Sequence, residues 1–265
     1  MGATIYDNKA WTDRFMCTHP ADPFDADRVE RIAGILPEDV TNVLDVGAGG
    51  GYILRRLKKK GLACYGVDIS LEMLKRSGED GVCAGDINKL PFADRAFDCA
   101  IAADVIEHIP EDSLADSVAE LARVSKRYIL ISSPYKDAID WPVSRCDRCG
   151  GEFNVYGHLR SVDRGLIEAL FLSDRFEIVL SEVFGRKRDI RPPFLVHAGK
   201  RWGKAYSSES TVCPHCMNDS IRPPRRNPVQ RCIGAGIYAL FLCMDRVIPL
   251  AFKEGSQMVV LLKKK

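Results

Sequence analysis

Apolar runs rich in β-branched residues recur along this chain at strand length, and amphipathic stretches fall between them. Val43–Val46, Ala63–Asp68, Gly81–Ala84, Ala96–Ala102 and Arg127–Ser132 read as strands. Tyr52–Lys60, Leu71–Arg76 and Ser113–Ser125 read as helices. A helix over Asp163–Leu172, a strand over Phe176–Phe184 and a closing strand over Gln257–Leu262 continue the series. This alternation predicts an α/β fold, with a mostly parallel sheet, right-handed crossovers and helices on both faces. A helix over Asp25–Leu36, ended by Pro37, closes an N-terminal lead-in or lid of residues 1–41 that also carries Tyr6, Trp11, Phe15 and Phe24. Residues 42–185 then form the core, and residues 256–265 return as its last strand. The long gap before that strand must hold structure of its own, so residues 186–255 are expected to be an insertion.

The first strand runs straight into a glycine cluster, Gly47-Ala48-Gly49-Gly50-Gly51, and a helix begins at Tyr52. A strand, a tight turn and a helix N-terminus let backbone approach a ligand closely. The second strand ends in Asp68, whose carboxylate is placed to accept from both hydroxyls of a ribose. A dinucleotide fingerprint would need glycine at position 52, where this chain has tyrosine.

From Asp45 to Gly51 the sequence reads D-x-G-x-G-x-G, which closely resembles motif I of class I S-adenosylmethionine-dependent methyltransferases. The resemblance continues in order through Val67-Asp68-Ile69-Ser70, Gly85-Asp86-Ile87 and Phe97-Asp98-Cys99-Ala100. It implies a Rossmann-like seven-stranded sheet and S-adenosylmethionine as the methyl donor. Gly47, Gly49 and Gly51 would form the close-approach turn, and Asp45 would orient it and receive the donor's ammonium. Asp68 would take the ribose hydroxyls, Ile69 would pack on adenine, and Asp86 with the backbone of Ile87 would meet the adenine edge. Ala103 would border the methionine moiety. Methyl transfer is an in-line displacement driven largely by positioning, helped by a base when the acceptor is a hydroxyl or ammonium. His108, within Glu107-His108, and His158, within Tyr156-Gly157-His158-Leu159-Arg160, are the candidate catalytic groups. Capping or packing is the structural alternative for His108, and loop anchoring for His158. No N-P-P-[YF] segment, typical of adenine or glutamine amide methylation, follows strand four, and no Pro-Cys nucleophile of cytosine-C5 methylation stands at it, which argues against base methylation by those routes.

Cysteine usage adds a second constellation. Cys146-x-x-Cys149 and Cys213-x-x-Cys216 are two knuckles, and four thiolates suit a structural Zn²⁺. Gly150 and Asn218 are the residues expected to take the left-handed turn that aims N–H groups at sulfur. The site would clasp the cysteine-rich insertion onto the loop after strand five. The other cysteines, at 17, 64, 83, 99, 232 and 243, lie singly. Met1–Phe15 is polar and lacks the apolar core of a signal peptide, so the reading is cytoplasmic, with a peripheral place at the inner membrane surface as its extension.

Charge is distributed unevenly. The net charge is +2, yet residues 186–231 hold eleven Lys/Arg against three acids, a local +8. A patch of this kind suits a phosphate-bearing substrate, RNA or an anionic membrane, or is simply a solvated face. Within the insertion, Ile233–Phe252 is an apolar helix interrupted by Asp245-Arg246 and Pro249. Those charges argue against a membrane span. The expectation is a buried or homodimer-forming helix, with a bilayer-lying or lipid-gripping surface as the alternative, flanked by Arg222, Arg225, Arg226, Arg231 and Lys253.

The reading is therefore an O- or N-methyltransferase for a small-molecule, glycan or lipid-linked acceptor. The alternatives are an RNA methyltransferase gripping phosphates with its zinc knuckles, and a non-catalytic binding protein on the same fold.

Overall fold

The computed structural model describes residues 5–18, 23–171, 175–187, 193–203, 206, 211–222, 225–247 and 255–265. After a 3₁₀ turn at Ile5–Asp7, the helices are α1 (Lys9–Thr18), α2 (Pro23–Ile35), α3 (Tyr52–Lys59), α4 (Leu71–Ser77), α5 (Leu114–Val124), α6 (Arg164–Phe171), α7 (Pro193–Ala198) and α8 (Pro228–Val247). The strands are β1 (Asn42–Val46), β2 (Ala63–Asp68), β3 (Val82–Ala84), β4 (Phe97–Ala103), β5 (Ser125–Pro134), β6 (Val143–Arg145), β7 (Glu152–Asn154), β8 (Phe176–Lys187) and β9 (Gly255–Lys264). Seven of them form one sheet in the order β3-β2-β1-β4-β5-β9-β8. Only β9 runs antiparallel to its neighbours.

Strands buried on both faces read as unbroken apolar runs, which is why β1, β4 and β5 were visible in the sequence. Val43, Leu44 and Val46 of β1 and Cys99 to Ala102 of β4 are almost fully buried. One core lies on each face of the sheet, around Ile106, Leu121, Ile129 and Phe171 on one side and Ile32, Leu54, Leu57 and Leu130 on the other. Asp98 is a polar exception with full compensation. Its carboxylate accepts from Thr41 N (2.9 Å), Thr41 Oγ1 (2.7 Å) and Asn42 N (3.4 Å), and pairs with Arg127 at 2.8 Å. Despite the opposing cost of burial, these donors hold its carboxyl down at about 2. Its stabilising contribution is therefore present above the ordinary value of 3.8 and lost as pH falls toward about 2. Asp98→Ala is expected to cost about 2–4 kcal/mol, read as a lowered midpoint in urea unfolding at neutral pH.

Several elements differ from the sequence reading. Helices α1 and α7, the π-helical turn Gly199–Gly203 and the two-stranded hairpin β6–β7 are additions, the hairpin's strands being only three residues each. Helix α8 begins at Pro228, five residues earlier than its apolar pattern. A reciprocal cap explains the start: Asn227 Oδ1 accepts from Gln230 N (2.9 Å) and Gln230 Oε1 accepts from Asn227 N (3.0 Å), with proline at the first helical position. The proline-rich stretch is thus a helix start as well as a linker. Helix α8 is also not core, as most of its described side chains are exposed. Position 172, residues 188–192, 204–205 and 223–224, and the expected end of the apolar helix at 248–252 with Lys253 lie outside the described residues.

Candidate functional site

The strand order reverses between β1 and β4, since the chain goes from β1 to β2 on one side and from β4 to β5 on the other. In open α/β sheets the crevice at the carboxyl ends of such strands is where ligands sit. Asp45, Gly47, Gly49, Gly51, Asp68, Ile69, Asp86, Ile87 and Ala103 all fall along that edge, at or just after the ends of β1, β2, β3 and β4.

The turn after β1 depends on its glycines. Gly47, Gly49 and Gly51 have φ of 77°, 49° and 74°, the left-handed region that side chains disfavour. At Gly47 an added Cβ would also lie 2.5 Å from Val105 Cγ2, which belongs to the loop after β4. The turn is tied to β2, because Gly47 N and Ala48 N both donate to Val67 O (2.8 and 3.1 Å). Gly49 N donates to Asp68 Oδ2 and Ser70 N to Asp68 Oδ1, each at 2.8 Å. Asp68 therefore has its carboxylate plane fixed by two backbone N–H groups. Asp86 accepts from Asn88 N (2.9 Å), and Ile87 packs half-buried against the core.

Behind this turn, Asp45 is 2% exposed and its Oδ1 has no hydrogen-bond partner. Burial, then the nearby Asp68 charge, push its carboxyl up to about 8, with Arg28 opposing. Arg28, itself buried on α2, pairs with Asp104, whose φ of 54° turns the chain sharply after β4.

A second polar group gathers next to it. Glu107 is 1% exposed, and neither of its carboxylate oxygens has a hydrogen-bond partner. Burial pushes it up to about 7, with the Arg28 charge pulling the other way. One ligand atom each from Glu107, His108 and His158 lie within 4.8 Å of one another. His108 Nδ1 lies 3.2 Å from Gly157 O, which can only accept, so Nδ1 carries the proton and Nε2 is the free acceptor. Burial and then His158 push His108 down to about 3, so it is neutral. His158 Nδ1 is 2.7 Å from Asp137 Oδ2, a histidine oriented by a carboxylate. Tyr6, from the N-terminal turn, stands edge-on to His108 with centroids 6.0 Å apart, and Trp11 stands edge-on to Tyr6 at 5.9 Å. Burial, Glu107 and Asp68 all raise the Tyr6 phenol. The lead-in thus roofs the cluster. Sequence reading found both histidines. It offered Glu107 only as part of the Glu107-His108 pair, and nothing local marks Arg28 or Asp137.

The two buried acids make a pH prediction. Each holds its proton in the folded chain above the pH where the unfolded chain releases it. That stability is complete below the ordinary values of 4.5 (Glu107) and 3.8 (Asp45), and is lost as pH rises through about 7 and about 8. The ligand-free protein should melt at a lower temperature at about pH 8.5 than at about pH 6 by differential scanning calorimetry, and Glu107→Gln should flatten that slope.

The four knuckle cysteines also converge. Cys146 and Cys216 sulfurs are 3.6 Å apart, as are those of Cys149 and Cys213. All four lie within 4.8 Å of one another, and sulfurs around a tetrahedral zinc are about 3.8 Å apart. Cys146 N donates to Gly151 O and Cys213 N to Asn218 O (2.9 and 2.8 Å), closing each knuckle. The first has Gly150 in the left-handed region, as expected (φ 75°). In the second that residue is Met217 (φ 57°), not Asn218, which instead sends its amide to Cys146 Sγ at 3.6 Å. The first pair sits in the turn of the β6–β7 hairpin, a short loop away from Asp137 and His158.

Comparison with known proteins gives the same domain. Residues 44–128 match the family described as a methyltransferase domain. This segment, about a third of the chain, is thus similar to a methyltransferase domain. A demethylmenaquinone methyltransferase of Mycobacterium marinum is 37% identical over 86 residues, 32% of this chain and 36% of that protein. A malonyl-[acyl-carrier protein] O-methyltransferase of Erwinia pyrifoliae is 34% identical over 94 residues, 34% of this chain and 35% of that protein. The chain thus spans little more than a third of the length of these curated relatives. An S-adenosylmethionine-dependent methyltransferase from Archaeoglobus fulgidus shares the fold with a TM-score of 0.53 at 20% identity, covering 90% of this chain and 92% of that one.

Proposed function

We propose that the chain transfers a methyl group from S-adenosylmethionine to an oxygen or nitrogen of a small, lipid-carried biosynthetic intermediate. The observation that carries this reading is the pair of buried acids, Asp45 and Glu107, with unsatisfied oxygens flanking the switch point. Buried polar atoms normally have partners, and such gaps in a crevice mark where a ligand's donors go.

When bound, the donor supplies a methyl group on an electrophilic sulfonium. The residues divide the remaining work. Asp68, fixed by Gly49 and Ser70, takes the ribose hydroxyls, and Ile69 covers the adenine, whose edge meets Asp86 and Ile87 N. Asp45 receives the ammonium through its open Oδ1, and Gly47, Gly49, Gly51 and Ala103 leave room for the methionine chain. On the acceptor side His158, held by Asp137, is the proton acceptor. Neutral His108 and Glu107 orient the acceptor beneath the Tyr6–Trp11 roof, which excludes water. Cys146, Cys149, Cys213 and Cys216 would hold a Zn²⁺ in a structural role, and these residues would keep the hairpin beside that pocket. The lipid-carried acceptor is supported by the name of one group of relatives, demethylmenaquinone methyltransferases, and by the apolar character of the insertion.

The test is incubation with methyl-labelled donor and, in parallel, a lipid extract, a water-soluble metabolite extract and total RNA. Label entering the organic-extractable fraction is the expected result. Label in RNA alone would replace this acceptor class with the nucleic-acid alternative.

A further inference from the structure

Helix α8 is apolar on almost every face. Gln230, Gly234, Ile237, Phe241 and Met244, spaced alternately by four and three, are its half-buried residues and form the stripe turned to the body. That stripe faces the π-helical turn Gly199–Gly203, which α7 also contacts. The remaining surface is open: Val229 is 66% exposed, Tyr238 63%, Leu240 and Leu242 50% each. Trp202 and Phe194 on the neighbouring elements are exposed as well. An apolar helix with its outer faces uncovered needs a partner.

Charge says which partner. Arg222, Arg225 and Arg226 immediately precede α8 and Arg231 lies in its first turn, where the helix dipole is already positive and no acid stands. Lys200 and Arg201 lie in the adjoining turn. No described acid pairs with any of the four arginines. A second copy would bring another +8 stretch against this one, which is repulsive. RNA would satisfy the arginines but leave Val229, Leu240 and Leu242 in water. No helix among the described residues is long and apolar enough to cross a membrane. An anionic bilayer surface matches both features at once.

We infer that α8 and the π turn form a membrane-docking surface, with the arginines on anionic headgroups and the aliphatic side chains in the interface. The inference deepens the lipid-carried reading above and rests on it for its purpose. Geometry connects the two. Lys200 lies 3.8 Å from Asp140, and Tyr206 Oη donates to Glu152 at 2.6 Å, so the docking module abuts the hairpin beside the acceptor pocket.

The full chain should co-sediment with vesicles of phosphatidylcholine and phosphatidylglycerol, far less with phosphatidylcholine alone, and lose binding as salt is raised. Replacing Arg222, Arg225 and Arg226 together by Gln should weaken partitioning about a hundredfold, roughly fivefold per charge. Leu240→Ser with Leu242→Ser should also weaken it, and both side chains are exposed, so the fold should survive. Absence of vesicle binding would overturn the proposal. So would a dimer that these leucine changes dissociate in a protein that ignores vesicles. Donor binding, measured by calorimetry on the same samples, separates the claims: donor without vesicles sinks the docking surface, and vesicles without donor sink the methyltransferase reading.

Discussion

Asp68→Ala is expected to weaken S-adenosylhomocysteine binding by roughly a hundredfold to a thousandfold. Two charge-assisted hydrogen bonds to ribose hydroxyls are worth about 3–4 kcal/mol together, at about 1.4 kcal/mol per tenfold in affinity. The substitution also removes the acceptor that holds Gly49 N at 2.8 Å, loosening the turn that must sit against the ligand. Asp68→Asn should fall between, since an amide oxygen still accepts while its nitrogen cannot. Asp68 is only half-buried, so the melting temperature should change little. Isothermal calorimetry on the two variants decides, and unchanged affinity in Asp68→Ala would remove this residue from the site.

The second large effect is at the cysteines. Cys213→Ser is expected to abolish zinc binding at the proposed four-cysteine site and release the hairpin. Cys213 is fully buried, with its sulfur 3.6 Å from Cys149, and the knuckle segments have few other ties. Among them are Tyr206 to Glu152 and Thr211 Oγ1 to Val155 O at 3.1 Å. Metal binding in such small modules is folding free energy, so its loss should unfold them locally. Metal analysis should fall from about one zinc per chain to none. Hydrogen exchange should accelerate over 143–154 and 211–222 and stay slow in β1, β4 and β5. Donor affinity should persist, because Asp45, Asp68 and Asp86 belong to other elements, while methyl transfer falls with the disordering of the loop that carries His158. Unchanged exchange in a zinc-free variant would contradict the clasp.

The legible parts of this chain were those where one physical demand acts on consecutive residues. Central strands buried on both faces announced themselves as apolar runs, and the Asp45–Gly51 turn did so because left-handed backbone selects glycine. Where partners come from distant segments, the sequence was mute. Tyr6 reaches His108 across the whole first half of the core, and Asp137 meets His158 over a long loop, so no local period encodes either contact. The three-residue strands β6 and β7 fall below the length at which alternation is a pattern. Helix α8 misled for another reason. Apolarity on all faces signals that something covers a helix, without saying whether it is core, a second copy or lipid. In the second knuckle, Met217 took the left-handed turn that composition assigns to Asn218, leaving the Asn218 amide to serve a sulfur.

The central claim is that the carboxyl ends of β1, β2 and β4 hold the methyl donor. Native mass spectrometry of the full chain with and without S-adenosylmethionine tests it most directly. The account predicts one donor-sized adduct on the zinc-loaded chain, lost in Asp68→Ala. A folded, zinc-loaded chain that takes up no donor would contradict it and leave the appended module as the working part of the protein.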